Sequence, residues 1–411
     1  MQQQVLIIGT VWVEPNSSAA GSRMLQLIKL FLKQDFKVTF ASSAQKNDKA
    51  IDLSFIGVEE VFIELNSSSF DVFVKKINPT IVVFDRFMME EQYGWRVAEN
   101  CPNALRILDT EDLHFLRKVR HQQLKNEEGF TINALLNSMD AKREIAAILR
   151  CDLSLIISTY EMDLLKSVFK IDEKILYYLP FLLDKIEENQ IKNWKSFEER
   201  EHFVFIGNFF HKPNVDAVLT LKENVWNEIR EYLPKAEIHI YGAYANQQIN
   251  QLHNKKEGFI IKGFAENAED VVRNARVLLA PLRFGAGIKG KLTEAMICGT
   301  PSVTTSIGAE GMCDRFSWPG FIEDNFSDFA LVSAELYSNK TKWKSNQVTG
   351  VEIINYVYDK ERLGLPFINK IKEIQQNLEA HRTQNFLGNL LQHQTLQATK
   401  YMSKWIESKN K

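Results

Sequence analysis

The chain has 411 residues, which is too long for one ordinary hydrophobic core and favours two domains. Hydrophobic residues make up 45% of it and charged residues 25%, a composition typical of folded rather than disordered proteins. The formal net charge of −2 lacks the basic excess with which nucleic-acid-binding proteins displace counterions, so no nucleic-acid partner is expected.

The four cysteines form neither a C-x-x-C pair nor the Cys/His spacing of a zinc site, and they are scattered at Cys101, Cys151, Cys298 and Cys313. We therefore expect reduced thiols, a cytoplasmic location and no bound metal. The N-terminus lacks the features of a signal peptide. No apolar run approaches the roughly 18 residues of a membrane-spanning helix.

Apolar runs alternate with amphipathic segments through residues 1–182, which predicts a Rossmann-like α/β domain. The run QVLIIG at residues 4–9 predicts a buried strand, and residues 23–34 predict a helix with one apolar face. The loop between them contains Gly21 but no G-x-G-x-x-G pattern, so no dinucleotide fingerprint is present. We expect this loop to form a wall of a substrate cleft.

Polar side chains follow two later strands of this half. Asp85 and Arg86 come after the buried run TIVVF, and Asp109 follows the run RIL. Asp112 and His114 lie just beyond Asp109. Because ligands of parallel sheets bind outside the carboxyl ends of the strands, we expect these side chains to face one cleft. A helix cap is the alternative role for Asp112, and a structural role is an equal alternative for His114.

The second half repeats the alternation after a change of composition. Residues 183–200 are rich in Glu, Lys and Asn with little apolar periodicity, which predicts a linker. Strands and helices then alternate again through residues 201–385, which predicts a second doubly wound domain. Residues 386–411 predict a helix packed back on the N-terminal domain. Trp405 and Ile406 lie there among lysines, so contact with a membrane surface is an alternative interpretation.

One stretch of the second half predicts an anion site. Residues 277–312 read VLLAPLRFGAGIKGKLTEAMICGTPSVTTSIGAEGM, a strand, a glycine-rich loop, a helix and a second strand. Gly285 and Gly287 precede Lys289 and Lys291 at the start of the helix. Backbone amides and ammonium groups at a helix N-terminus bind anions, so the loop predicts a phosphate site. A solvated loop is the alternative interpretation for the lysines.

These residues resemble glycosyltransferase family 4, whose members are retaining enzymes of the GT-B fold. The matching pieces are FIGNFFHKPN, IYG, KGF and PLRFGAGIKGKLTEAMICGTPSVTT, with LDTEDLHFLRKVR matching more loosely in the first half. The resemblance covers most of residues 1–320. It implies an α/β protein with two doubly wound Rossmann-like domains facing a central cleft. It also implies hexosyl transfer from a UDP- or GDP-linked sugar to a glycan or lipid-linked acceptor in polysaccharide biosynthesis, without a metal or other cofactor.

The resemblance also assigns donor contacts. Many members carry two glutamates at a fixed spacing, the second of which binds the donor ribose. Glu294 stands at the second position, with a first-turn helix glutamate as the alternative reading, whereas Ala286 stands at the first. Lys289 and Lys291 are implied to meet the diphosphate. The other implied donor-side residues are Gly207, Asn208 (in place of the usual arginine), Lys212, Phe264, Gly285 and Gly287. Phe264 would flank the nucleobase, with buried core as its alternative.

The catalytic and acceptor-side candidates follow from the same resemblance. The donor phosphate itself is implied to help take the acceptor proton, so Asp109 or His114 would orient the hydroxyl rather than act as a nucleophile. Lys289 would stabilise the charge of the leaving group. The candidate catalytic residues are Asp109, Asp112, His114 and Lys289, and the acceptor-side candidates are Gly21, Asp85 and Arg86.

Two other functions stay open at this point. One is a catalytically silent module of the same fold that binds nucleotide or glycan, which the alanine at position 286 motivates. The other is an epimerase of the same fold, which would interconvert a sugar nucleotide without an acceptor.

Overall fold

The computed structural model describes residues 3–410, apart from the side chains of residues 394–397. Residues 1, 2 and 411, which the sequence analysis assigned to the first domain and the last helix, lie outside the described residues. None of the helices formed by the described residues combines the length and the apolar character that a membrane crossing needs.

The N-terminal half is a parallel sheet of seven strands with helices on both faces. Its elements are, in chain order, β1 (Gln4–Gly9), α1 (Ala19–Lys33), β2 (Lys37–Ser42), β3 (Glu59–Phe62), α2 (Ser69–Ile77), β4 (Ile81–Asp85), α3 (Phe87–Asn100), β5 (Leu105–Asp109), α4 (His114–Lys125), α5 (Ile132–Asn137), α6 (Met139–Arg150), β6 (Leu153–Ile156), α7 (Thr159–Ser167) and β7 (Leu176–Tyr178).

Two apolar cores lie on the two faces of this sheet. Alternate residues of β1 point in opposite directions, so that Leu6 and Ile8 belong to one core and Val5 and Ile7 to the other. The strands lie in the order β3-β2-β1-β4-β5-β6-β7, which reverses direction beside β1. The carboxyl ends of β1 and β4 therefore flank the crevice in which sheets of this kind bind ligands.

The C-terminal half is a second parallel sheet, of six strands. Its elements are, in chain order, α8 (Glu188–Lys192), β8 (Glu201–Ile206), α9 (Lys212–Thr220), α10 (Trp226–Tyr232), β9 (Ile238–Tyr241), α11 (Gln247–Asn250), β10 (Phe259–Gly263), α12 (Ala268–Asn274), β11 (Ala275–Ala280), α13 (Gly290–Ile297), β12 (Ser302–Thr304), α14 (Ser306–Ala309), β13 (Gly320–Ile322), α15 (Phe326–Ser338) and α16 (Lys340–Val357).

The second sheet has the same kind of winding as the first. Its strands lie in the order β10-β9-β8-β11-β12-β13, which reverses beside β8. Helices α9 and α10 form one continuous helical segment, in which a π-helical turn at Leu221–Val225 joins the two. Two doubly wound Rossmann-like sheets are thus present, and the predicted α/β fold class is confirmed.

The chain crosses between the halves twice, and the two crossings are hydrogen-bonded to each other. The N–H of Leu183 donates to the carbonyl of Tyr358 (2.8 Å), and the N–H of Lys360 donates to the carbonyl of Leu183 (2.9 Å). The two segments therefore run side by side as a short parallel bridge.

Residues 183–200, expected to be a linker, pack on the C-terminal half. Arg200 is fully buried, and its Nη1 donates to Oγ1 of Thr300 (2.7 Å). The ring of Trp194 lies so close to Gly299 that a Cβ there would stand 2.5 Å from it. Ile186 also belongs to the core of that half, and Phe197 packs against it. The polar composition of the segment hid these anchors, because the apolar residues that make the contacts are few and widely spaced.

The chain returns to the N-terminal half at α17 (Lys360–Gln376), earlier than the predicted residue 386. Phe367 and Ile371 of α17 are fully buried in the N-terminal core, because this helix presents one continuous apolar face. Two helices follow, α18 (Leu378–Gln384) and α19 (Phe386–Lys409), and α19 packs against α3 and α6.

Candidate active site between the two domains

The glycine–lysine loop, Gly285–Lys291, lies in direct contact with the N-terminal half. A Cβ on Gly287 would stand 2.8 Å from the Cβ of Asp112, and one on Gly290 would stand 2.5 Å from the Cβ of Ala19. Gly287 also has a φ of +62°, which side chains rarely adopt. Because α1 begins at Ala19 and α13 at Gly290, the N-termini of the two helices meet across the cleft.

Polar contacts hold this cleft closed on two sides. Arg120 of α4 donates to the carbonyl of Gly285 (2.9 Å) and pairs through both terminal nitrogens with Glu310 (2.8 and 2.7 Å). On the other side, Nδ2 of Asn208 donates to the carbonyl of Ser17 (3.1 Å) in the loop after β1. The site is therefore formed by both halves together.

Lys291 is a cation held in place before any ligand arrives. Its Nζ donates to Oδ1 of Asn214 (2.6 Å) and lies 3.9 Å from the ring centroid of Phe205. A Cβ on Gly207 would stand 2.9 Å from this Nζ, so a side chain just after β8 would displace the lysine from its present position. Burial lowers the pKa of Lys291 to about 7, although the charge of Glu294 acts in the opposite direction.

Lys289 is the residue that immediately precedes α13, two positions before Lys291. It is 9% exposed, and its Nζ donates to the carbonyl of Gly287 (2.9 Å). Burial lowers the pKa of Lys289 to about 8, with Glu310 favouring the charged form and Arg120 opposing it. Both ammonium groups have lost part of their hydration through burial. A bound anion would stabilise their charged forms, because it compensates for the lost hydration.

Glu294 lies in the second turn of α13, beyond Lys291, and is partly buried, so it is not the first-turn glutamate of the alternative interpretation. Burial and the neighbouring charge of Glu269 raise the pKa of Glu294 to about 7, while Lys291 lowers it. Among the described residues, no side chain or amide hydrogen-bonds to its carboxylate. This acceptor is therefore available to hydroxyl groups of a ligand.

Exposed aromatic rings line one mouth of the cleft. Phe264, at the end of β10, is 42% exposed, and Nζ of Lys49 from the N-terminal half lies 3.8 Å from its ring centroid. Phe210 stacks on Tyr244 at 4.2 Å between centroids, and the Tyr244 hydroxyl donates to Glu14 (3.3 Å) across the cleft. Phe264 is thus a surface group rather than core, and a planar ring can stack there. Lys212, the remaining donor-side candidate, is exposed at the start of α9.

Three N-terminal candidates support the wall of the cleft from below. Asp109 is fully buried, and its Oδ1 accepts from Nη2 (2.8 Å) and Nε (3.0 Å) of Arg23. Oδ2 of Asp85 accepts the N–H of Thr10 (2.9 Å) and so fixes the start of the loop after β1. Gly21 is buried, where a Cβ would stand 2.3 Å from the carbonyl oxygen of Glu14. The positions of Asp109, Asp85 and Gly21 therefore indicate a structural role in the wall rather than direct contact with a substrate.

Asp112 and His114 lie on the cleft side of the same wall. Burial opposes ionisation of Asp112, yet Arg117 (2.6 Å) and His114 (3.2 Å) hold its pKa below the usual range. Burial lowers the pKa of His114 to about 4, against the opposing charge of Asp112, so its imidazole is neutral near pH 7. Carboxylates of Glu144 and Glu161 cap the first amides of α4, which leaves Asp112 free of the capping role.

Glu111 is a residue that the sequence reasoning missed. Its φ of +62° is unusual for a residue with a side chain, and its Oε1 is buried without a partner among the described residues. Burial and the charge of Asp109 raise its pKa well above the usual range, while Arg23 lowers it. A strained, unpartnered carboxyl in a cleft is a functional candidate. Its position between Asp109 and Asp112 could have indicated a place near the cleft, but only the structure shows that its carboxyl group lacks a partner.

Arg86, the last acceptor-side candidate, has a φ of +70° at the start of α3. Its Nε lies 3.7 Å from Oδ1 of Asp85. Burial opposes its charge, but the carboxylates of Asp85 and Glu111 raise its pKa above the usual range. A cation thus lies among the carboxylates of this wall. Within the described residues, no group of His, Cys, Asp and Glu side chains has an arrangement that could hold a metal ion.

Comparisons with known proteins agree with this geometry. Residues 200–337 match the family described as glycosyl transferases group 1. This segment contains the glycine–lysine loop, Glu294 and Phe264. A search among curated proteins finds no match.

Solved structures resemble nearly the whole chain at low identity. Sucrose-phosphate synthase from Thermosynechococcus elongatus is 14% identical with a TM-score of 0.65, and the match covers 92% of this chain and 100% of that chain. TarM from S. aureus, solved with fondaparinux, α-GlcNAc-glycerol and UDP, is 11% identical with a TM-score of 0.67, over 90% of this chain and 100% of that chain. Anabaena HepE, solved with UDP and glucose, is 11% identical with a TM-score of 0.62, over 90% and 100%.

At such identities, likeness establishes the fold, while function has to be argued from the site. The chain therefore has the two-domain GT-B fold of these glycosyltransferase structures, and its residues 200–337 match the group 1 family.

Proposed function

We propose that this protein is a retaining glycosyltransferase that moves a hexose-type sugar from a UDP- or GDP-linked donor to a glycan or glycolipid acceptor. The observation that carries the proposal is the convergence of one site from both halves. The N-termini of α1 and α13 meet there, and Lys289, Lys291 and the open carboxylate of Glu294 belong to the same loop and helix. The group 1 match over this segment supports a nucleotide-sugar donor.

In the proposed reaction, the bond between the sugar C1 and the β-phosphate oxygen breaks, and the nucleoside diphosphate leaves with the electron pair. The acceptor oxygen bonds to C1 on the same face, and its proton passes to the departing phosphate oxygen. Lys289 and Lys291 stabilise the charge that develops on the diphosphate. They are already fixed by Gly287 and Asn214, so little reorganisation accompanies the step.

The N-terminal wall faces the sugar and the acceptor in this proposal. The neutral imidazole of His114 can hydrogen-bond a hydroxyl group without repelling the cationic centre. Glu111 adds an unpartnered carboxyl group beside it. Asp109 acts through Arg23, by holding α1 against the end of β5. In this proposal His114 and Glu111 face the cleft, and Asp109 positions the wall that carries them.

A catalytically silent binding protein is the second candidate, and one observation favours it. Ala286 stands where the family places a glutamate that contacts the donor sugar, and it packs against the apolar core of the N-terminal half. No carboxylate can therefore reach the sugar from this position.

Incubation with a panel of UDP- and GDP-linked sugars separates the two candidates. The transferase is expected to release UDP or GDP from at least one donor, slowly onto water and faster with an oligosaccharide or glycolipid acceptor. Binding of nucleotide without release from any donor would support the silent module. Conversion of one sugar nucleotide into its epimer would support the epimerase instead.

Replacing Glu294 by alanine is expected to weaken UDP binding by about tenfold or more, because charged hydrogen bonds to the ribose are lost. Calorimetric titration with UDP and 2′-deoxy-UDP measures this. The wild-type protein should discriminate between the two ligands and the variant should not. Glu269→Ala is the matched control, since this exposed neighbour also places negative charge near Glu294 but pairs with Arg273 on the surface. Equal discrimination by the wild-type protein and the Glu294 variant would contradict the ribose assignment.

UDP affinity is expected to fall by about 10- to 100-fold between about pH 7 and about pH 9. Burial lowers the pKa of Lys291 to about 7 and that of Lys289 to about 8, so both lose protons over this range. A bound diphosphate favours the ammonium forms, so binding takes up protons and weakens as they become scarce. Titrations across this range measure the slope, and Lys291→Arg should flatten it. A constant affinity would contradict the diphosphate assignment.

We further propose that the protein works in the cytoplasm without a metal ion, in polysaccharide biosynthesis. Peripheral contact with a membrane would involve α19. Trp405 is 54% exposed there, with Nζ of Lys409 3.8 Å from its ring centroid.

A further inference from the structure

Glu161 joins the two walls of the cleft through one oxygen atom. It lies in the first turn of α7 and is fully buried. Its Oε1 accepts the N–H of Leu113 (2.9 Å), next to His114, and the N–H of Gly287 (2.8 Å) in the glycine–lysine loop. The amide of Gly287, which the sequence suggested as a phosphate ligand, is therefore already occupied by a carboxylate of the other half.

The second oxygen of Glu161 makes this arrangement unusual. Oε2 is buried and has no hydrogen-bond partner among the described residues. Buried carboxylates are ordinarily well supplied with donors, because burial without them is unfavourable. The nearby charge of Lys289 compensates only in part, since burial and Asp112 together raise the pKa of Glu161 to about 7. Capping the N–H of Leu113 alone would not require Glu161 to contact the C-terminal half as well.

We propose that Glu161 is a positioning residue that holds the glycine–lysine loop against the N-terminal wall when the cleft is closed, and so fixes the diphosphate site. The inference deepens the proposed function and rests on it. Opening of the cleft breaks the bond to Gly287, because its two atoms belong to different halves. The bond to Leu113 stays, because both of its atoms belong to the N-terminal half.

Glu144 provides a matched control in the same region. It is fully buried, and its carboxylate accepts the N–H groups of His114 (3.2 Å) and Phe115 (3.0 Å). Both glutamates thus cap the start of α4 from neighbouring helices. Only Glu161 also contacts the C-terminal half, so the difference between the two residues isolates the contact between the domains.

The test compares Glu161→Ala with Glu144→Ala in the full chain, using UDP as the probe. Both variants are expected to unfold at a lower temperature. Only Glu161→Ala should weaken UDP binding, by about tenfold, and enlarge the radius of gyration of the UDP-bound protein in small-angle X-ray scattering. Glu161→Gln keeps an acceptor oxygen and should recover most of the affinity. It also tests the proposal if the alanine variant does not fold.

Two outcomes would overturn the inference. One is a Glu161 variant that binds UDP and scatters like the wild-type protein. The other is a Glu144 variant with the same loss of affinity and the same expansion. Failure of the wild-type protein to bind any nucleotide would instead count against the proposed function. The scattering of the ligand-free proteins would then still decide whether Glu161 holds the halves together.

Discussion

Replacing Lys291 by alanine is expected to lower kcat/KM for the nucleotide sugar by about 100- to 1,000-fold, the usual effect of removing one fixed donor to a developing negative charge. The ammonium group is held by Asn214 and by the ring of Phe205, at the end of β8. No other described cation is held at this strand end in the same way, so neighbouring groups cannot replace it. Initial rates with the preferred donor measure the effect.

The same experiment separates catalysis from folding. The thermal unfolding temperature of the Lys291 variant should stay near that of the wild-type protein or rise, because a desolvated cation is removed. Lys340→Ala is the control, since this exposed lysine pairs with Glu198 on the protein surface. Unchanged rates for the Lys291 variant would mean that the diphosphate lies elsewhere.

Replacing Arg23 by methionine is expected to lower the free energy of unfolding by about 3–5 kcal/mol, because Asp109 would be left as a buried, unpaired carboxylate. The two side chains are 1% and 0% exposed, and Arg23 also donates to the carbonyl of Leu179 (2.7 Å). The change therefore removes the charge that compensates Asp109 and leaves a backbone acceptor unpaired. Denaturant unfolding followed by circular dichroism measures the loss.

Two further variants define the origin of this loss. The double variant Arg23→Met/Asp109→Leu should recover part of the stability, since a buried pair replaced by apolar groups is often tolerated. Lys33→Met breaks the exposed pair with Glu361 and should change stability by at most about 1 kcal/mol. A single and a double variant of equal stability would show that charge burial is not the cause.

The alternation of apolar runs allowed the two sheets to be predicted, because strands buried on both faces leave a clear pattern. β4 is buried along its whole length, and its sequence contains no polar residue before Asp85. The first helix begins at Ala19 rather than at the predicted residue 23, since Ser18 caps it by accepting the N–H of Gly21. The glycine–lysine loop could also be predicted, because three glycines and two lysines follow β11 within a short segment leading into a helix.

Contacts between distant parts of the chain were not predictable. Arg23 lies on the buried face of an apolar helix, and only the fold brings it to Asp109. The glycine pattern indicated a close approach at Gly287, but not that Glu161 would occupy its amide. Likewise, Asp112 suited a helix cap by sequence, whereas the structure gives that role to glutamates from two other helices. Such partners depend on tertiary packing, which local patterns do not record.

The paired crossings at Leu183 and Tyr358 determine how the halves can move. Because the two segments are hydrogen-bonded side by side at one place, we expect the halves to swing about this place as about a hinge axis. Displacement then grows with distance from the axis. Gly290 lies near Phe181, close to this axis, so its contact with Ala19 should change least during opening. Substrates would therefore enter from the far side, with the helix N-termini acting as the pivot end of the cleft.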